Sequence, residues 1–390
     1  MRLPSIPILL ILLLCCVQVT TATEEHQFVG KWGTAGIGDG QFNLPKGIAV
    51  DGTGNVYIAD KGNHRVQKFT STGGFITQWG TMGSEDGQFD LPDGIAVDGA
   101  GNVYVADTGN FRIQKFTSNG TFITKWGTRG SEDGQFADLL GIAVDSAGSV
   151  YAADGGNHPV QKFTSTGTFI TQWGTVGLED GQFLCPSGIA VDSTGDVYVS
   201  DMYNDRVQKF TSTGTFVTKW GTTGTGDGQF QYPGGIAVDH TGDVYVSDIN
   251  NGRIQEFTST GTFVTKWGTT GTGDGQFQYQ GGIAVDNTDN VYVADTGNDR
   301  IQKFVKQGGI PTLATPSVKV IPGGSGTPRD LDGDRKYEDV NGNGRKDFAD
   351  VVLYFNQTTW IAANEPIGAF DFDRNGRIDF ADTVQLFNNL

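Results

Sequence analysis

The pentapeptide GIAVD begins at Gly47, Gly94, Gly141, Gly188, Gly235 and Gly282, each 47 residues after the one before; Trp32, Trp79, Trp126, Trp173, Trp220 and Trp267 keep the same interval. A fixed period of this length restricts the chain to a repeat architecture, in which each unit buries its apolar face only against its neighbours. Within one period, four short segments carry the β-branched and aromatic residues of strands: GIAVD, NVYIAD, RVQKF and GFITQWG, in residues 47–80. Gly, Asn, Asp, Ser and Thr turns separate them, and so many turns explain why the chain needs 59 glycines. We call the four strands a to d. Four antiparallel strands form one blade of a propeller, and six blades form a closed ring.

The recurring phrase GIAVDxxGNVYVADxGNxRIQKF resembles the NHL repeat, and the resemblance covers residues 28–304. It implies an all-β, six-bladed β-propeller. Members of that family range from RNA binders to sensor domains and lyase-like enzymes, so the fold alone leaves the function open. The last copy stops at Phe304 without a strand d, while FVGKWG at 28–33 has the Phe and Trp spacing of a strand d with no strands a to c before it. The N-terminal strand is therefore expected to complete the sixth blade, which removes two open sheet edges at once.

Residues 1–22 read as a secretory signal peptide: an early Arg2, an apolar run from Ile6 to Val17 too short to span a bilayer comfortably, and small residues around Ala22. The expected location is secreted or at the cell surface, with no integral membrane segment after cleavage. Cys15 and Cys16 fall in that signal, so the mature chain retains Cys185 alone and an intramolecular disulfide is excluded. Cys185 stands where other copies place Leu44 and Leu91, the position of a small buried hydrophobe. A formal net charge of −17 argues against nucleic acid, whose phosphates are met by Lys and Arg.

Positions repeated in every blade are structural. Strand b ends on Asp60, Asp107, Asp154, Asp201, Asp248 and Asp295, and Arg follows five residues later in every blade except the third, which has Pro159. These pairs should fix the blades through charged hydrogen bonds, and the DGQF copies should act as turns with a plugging Phe. The b–c tips, in contrast, differ: KGNHR, TGNFR, GGNHP, MYNDR, INNGR and TGNDR. Antiparallel strands put the b–c turns and d–a loops on one face, so Lys61, His64, Phe111, His158, Tyr203, Asp205 and Asp299 form the candidate ligand face, where loops on a rigid scaffold carry binding residues. His64 and His158 lie two blades apart, about 10 Å or more from the axis by strand spacing. They cannot share one zinc ion at bonding distances of about 2 Å.

After a Pro-, Gly- and Thr-rich linker at 305–329, two dodecamers follow, DVNGNGRKDFAD at 339–350 and DFDRNGRIDFAD at 371–382. Each has side-chain oxygens at positions 1, 3, 5, 9 and 12 and glycine at 6, the pattern of an EF-hand-type calcium loop. Asp339, Asn341, Asn343, Asp347 and Asp350, with the Arg345 carbonyl, form one expected site. Asp371, Asp373, Asn375, Asp379 and Asp382, with the Arg377 carbonyl, form the other. A loop closing on Asp and followed by one helical pattern resembles a dockerin module over residues 330–390, in the style of a prokaryotic, archaeal or bacterial, surface protein. That resemblance implies a small α-helical calcium-binding domain and a cohesin-like partner. Lys346 and the pairs Phe348/Ala349 and Phe380/Ala381 depart from many bacterial examples.

The expected function is that of an exported, non-catalytic binding or scaffolding protein: the propeller as platform for a protein or carbohydrate ligand, calcium and the dockerin-like module as tether. The alternative is a propeller-type lyase or a carbohydrate-active component of a surface complex. Asn119 and Asn356 begin glycosylation sequons.

Overall fold

A computed structural model describes residues 26–306, and within them six four-stranded antiparallel sheets repeat. In the first blade, strand a is Pro45–Val50, b is Val56–Asp60, c is Arg65–Phe69 and d is Phe75–Trp79. The later blades follow at the 47-residue period. The expected signal peptide and the expected dockerin-like module, with its two expected calcium loops at 339–350 and 371–382, lie outside the described residues, as does the expected linker from residue 307 on; Val305 and Lys306, placed in that linker by the sequence, instead extend strand c of the sixth blade.

The sixth blade is assembled from both ends of the propeller sequence. Strand a (Ile283–Val285), strand b (Asn290–Asp295) and strand c (Arg300–Lys306) are completed by His26–Trp32, which pairs antiparallel to strand c with Phe28 opposite Phe304. The N-terminal strand thus closes the last blade, as the spacing of Phe28 and Trp32 implies.

The apolar core lies between blades. Across the seam, Phe42, Ile48, Val56, Ile58 and Phe69 of blade one pack with Ala284, Tyr292, Ala294 and Ile301 of blade six, and each other junction repeats this cluster. Phe42, Phe89, Phe136, Phe183, Phe230 and Phe277, the plugs of the DGQF copies, are fully buried. Each strand-b tyrosine is buried and spends its hydroxyl on the Asp that ends GIAVD, as Tyr57 does on Asp51 at 2.9 Å. Burial opposes the charge on Asp51, yet hydrogen bonds from Thr53, Asn55 and Tyr57 outweigh it and draw its pKa down to about 2.

Strands a stand innermost, and the glycine of GIAVD is what lets them meet. A Cβ on Gly47 would lie 2.2 Å from the Asp93 carbonyl oxygen, and one on Gly94 2.4 Å from that of Leu140. The same contact recurs at Gly141, Gly188 and Gly235 and closes at Gly282 against Lys46. Backbone packed against backbone leaves a central channel of about 230 Å³ lined by the six GIAV segments.

Candidate functional site

The b–c turns and d–a loops surround one mouth of this channel, and the repeated Asp and Arg residues build it. Arg65 donates from Nε to Asp60 at 2.7 Å, while its remaining donors reach the carbonyls of Ile37, Gly38 and Gln41 in the incoming d–a loop. Asp60 also accepts the Asn43 amide. Both charges are buried, and a buried ion pair stabilises only when its other hydrogen-bonding capacity is met, as it is here. Blade three, which has Pro159 in place of Arg, instead feeds Asp154 with the amides of Ala137, Asp138, Gly156 and Asn157.

Five b–c turns form one turn of 3₁₀ helix, and the residue after it takes a left-handed conformation: His64, Phe111, Asp205, Gly252 and Asp299. Four of the variable tip residues reach the next blade. The Leu91 amide donates to His64 Nδ1 and the Cys185 amide to His158 Nδ1, both at 3.2 Å; the Tyr232 amide donates to Asp205 and the Leu44 amide to Asp299 at 2.9 and 2.8 Å. An Nδ1 that accepts implies the neutral Nε2–H tautomer for both histidines. Lys61 likewise bridges to the buried carboxylate of Asp93 at 2.6 Å, and Phe111 lies under the Arg129 guanidinium at 5.3 Å. The structure therefore does not gather the seven tip residues into one cluster; it distributes them around the ring as links between successive blades.

What those links hold is a second ring of residues that the tips alone do not reveal. Leu44, Leu91, Cys185, Tyr232 and Tyr279 occupy one position of the d–a loop in five blades, all with φ between 50° and 66°. Left-handed backbone costs a large L-residue about 1–2 kcal/mol. This chain uses glycine at most of its other positive-φ positions, but at this one it keeps bulky side chains, and Leu44, Leu91, Tyr232 and Tyr279 are exposed. Tyr203 joins them, with its ring edge-on to Tyr232 at 5.5 Å. The sequence signal was present in the change from NLPKG to QYPGG and QYQGG, but its conformation was not. Cys185 is buried here, and burial, with Asp138 and Asp201 nearby, pushes its thiol up to about 11, so it is no nucleophile. Burial and the neighbouring Asp93 also raise the Asp138 carboxyl.

On the opposite face, one departure from the repeat marks the junction of blades five and six. Lys68, Lys115, Lys162 and Lys303 of strand c each donate to a serine carbonyl in the next blade, as Lys68 does to Ser118 at 3.2 Å. Blade five has Glu256 instead, and Lys306 stands where the next blade's serine would be. Its ammonium lies 2.7 Å from Glu256, 3.0 Å from Asp243 and 3.8 Å from Asp239. These three carboxylates have oxygens close enough together to hold a metal ion, but the ammonium already sits among them. His26 packs beside them, stacked on Trp267 at 3.9 Å with Nε2 3.6 Å from Glu256. Burial, and then the charge of Lys306, lowers the His26 pKa to about 3, so the ring is neutral.

Comparison with known proteins matches the NHL repeat at residues 42–69, 89–116, 136–163, 183–210, 230–257 and 278–304. A 43-residue stretch is 46% identical to the B-box type zinc finger protein ncl-1 of Caenorhabditis elegans, and a 50-residue stretch is 42% identical to the E3 ubiquitin-protein ligase TRIM32 of Homo sapiens. These stretches are 11% and 13% of this chain and span only 5% and 8% of those relatives. Among solved structures, a gluconolactonase from Xanthomonas campestris is 12% identical with a TM-score of 0.53, covering 73% of this chain and 98% of its own. Virginiamycin B lyase from Staphylococcus aureus is 14% identical with a TM-score of 0.50, over 72% and 98%. A protein of unknown function from Bacteroides thetaiotaomicron is 19% identical with a TM-score of 0.54, over 71% and 76%. At these identities the likeness is one of fold.

Proposed function

Because the chain carries six NHL repeats closed into one ring, we propose that it is an exported, non-catalytic binding protein. The propeller presents its channel-mouth face to a ligand, and the dockerin-like segment 330–390 tethers it, through calcium, to a cohesin-type partner on a surface or scaffold assembly. The observation that carries the platform reading is a contrast within the ring. Each blade's interior is repeated and internally hydrogen-bonded, whereas exposed side chains at the mouth change from blade to blade and are held on a strained backbone. The tether reading is supported by the paired dodecamers, in which Asp339 and Asp371 open the loops.

The test is calcium removal from the full-length protein. Native mass spectrometry should count two bound calcium ions, fewer in Asp339→Ala and Asp371→Ala, and a chelator should release the protein from envelope fractions while the propeller's melting transition stays in place. Absence of bound calcium would withdraw the tether. A second reading, catalysis at the mouth, draws on the raised carboxyl of Asp138 beside Lys61 and Asp93. It would require that Asp138→Asn abolish a turnover without changing ligand affinity.

A further inference from the structure

The mouth face is divided by chemistry. On blades one to three it carries charge: Lys46, Lys61, Asp90, Asp93 and Asp138. On blades four to six it carries Tyr203, Tyr232 and Tyr279, which are 54%, 44% and 67% exposed. No hydrogen bond among the described residues engages their hydroxyls. Beside them stand the amides of Gln231, Asn250 and Gln278, whose side chains likewise make no hydrogen bond among the described residues. The carboxylates of this sector, Asp205 and Asp299, already hold the amides of Tyr232 and Leu44.

We infer that this sector binds a neutral polysaccharide, its sugar rings stacked on Tyr203, Tyr232 and Tyr279 and its hydroxyls bonded to the neighbouring amides. Three features select that class. Aromatic faces alternate with uncharged groups that both donate and accept, which suits a ligand with apolar ring faces and hydroxyl edges. The chain's net charge of −17 repels polyanions, and against it the sector has at its edge the single lysine Lys46, whose side chain lies against Gly281 of blade six. The tyrosines recur on consecutive blades of a rigid ring, which suits a polymer of repeating rings better than a single small molecule. Tyr232 and Tyr279 sit on left-handed backbone, at φ 58° and 50°, as Leu44, Leu91 and Cys185 do at the same position of other blades, so the position holds a bulky side chain in a fixed direction and the tyrosines supply its chemistry in this sector.

This inference rests on the platform reading of the same face. The test is affinity electrophoresis of the full-length protein through gels containing a neutral glucan, mannan, xylan or galactan. At least one polymer should retard migration. The Tyr232→Ala/Tyr279→Ala pair should weaken that retardation at least tenfold, while Ile123→Ala and Ile170→Ala, at exposed positions of strands d in blades two and three, leave it within twofold. Thermal melting of each variant separates loss of the site from loss of the fold, and Tyr→Phe replacements, which keep the stacking face, should retain most of the binding. No retardation by any of the four polymers, or full retardation of the folded double-alanine variant, would overturn the inference. Either result leaves calcium binding by the full-length protein as an independent test of the tether.

Discussion

At Gly94 one carbon atom decides whether two blades can meet. A Cβ there would lie 2.4 Å from the Leu140 carbonyl oxygen, whereas one on Gly99, in the following a–b turn, would meet nothing within 4 Å. Overpacking against a backbone that cannot yield costs about 1–3 kcal/mol, so Gly94→Ala should lower unfolding free energy by about that much in urea titration. Gly99→Ala should stay within about 0.5 kcal/mol of the parent. The sequence marks both glycines as frequent turn or strand residues but separates their roles only by repetition: the first recurs in all six blades, the second does not. The reason for that recurrence, a neighbouring strand at the propeller axis, is a contact between residues in different repeats.

At the scale of the element, the junction of blades five and six is held by an exchange of charge. Where four other blades reach forward with lysine to a serine carbonyl, blade five offers Glu256 and receives Lys306. Removing one partner of a buried pair costs about 3–5 kcal/mol. Glu256→Ala and Lys306→Ala should each approach that loss by chemical denaturation, with the double variant less destabilised than their sum because the residues share one network. His26 gives the same junction a pH dependence. Its pKa falls from 6.5 in the unfolded chain to about 3 in the fold, so between those values the unfolded state binds the extra proton. Stability is complete above about pH 6.5 and declines as pH falls toward 3. Melting temperatures measured from pH 7 to pH 4 should fall for the parent and fall less for His26→Phe, which keeps the stacking on Trp267 but cannot titrate.

For the whole molecule, ring closure rests on one strand. Deleting residues 26–33 would strip strand c of blade six of its partner and expose the edge of Arg300–Lys306 along with the core around Phe304 and Trp267. The propeller as a unit should then melt at markedly lower temperature and sediment as aggregates, because every blade is stabilised by its two neighbours and an open edge invites pairing between chains. Adding back the missing strand as a peptide should recover part of the transition. A truncated ring that melted like the parent would show the blades to be independent, contrary to the inter-blade core.

The blade number, the strand order within each blade and the position of the closing strand were all legible in the 47-residue period and in the Phe and Trp spacing of Phe28 and Trp32. Those features are local or strictly periodic, and a chain that repeats itself states its own topology. The links made by His64, His158, Asp205 and Asp299, the ring of left-handed residues they hold, and the meeting of Glu256 with Lys306 and His26 were decided by the tertiary structure. These contacts join different blades, or opposite ends of the propeller sequence. Only the curvature that bends six sheets into one ring brings their side chains within hydrogen-bonding or packing distance.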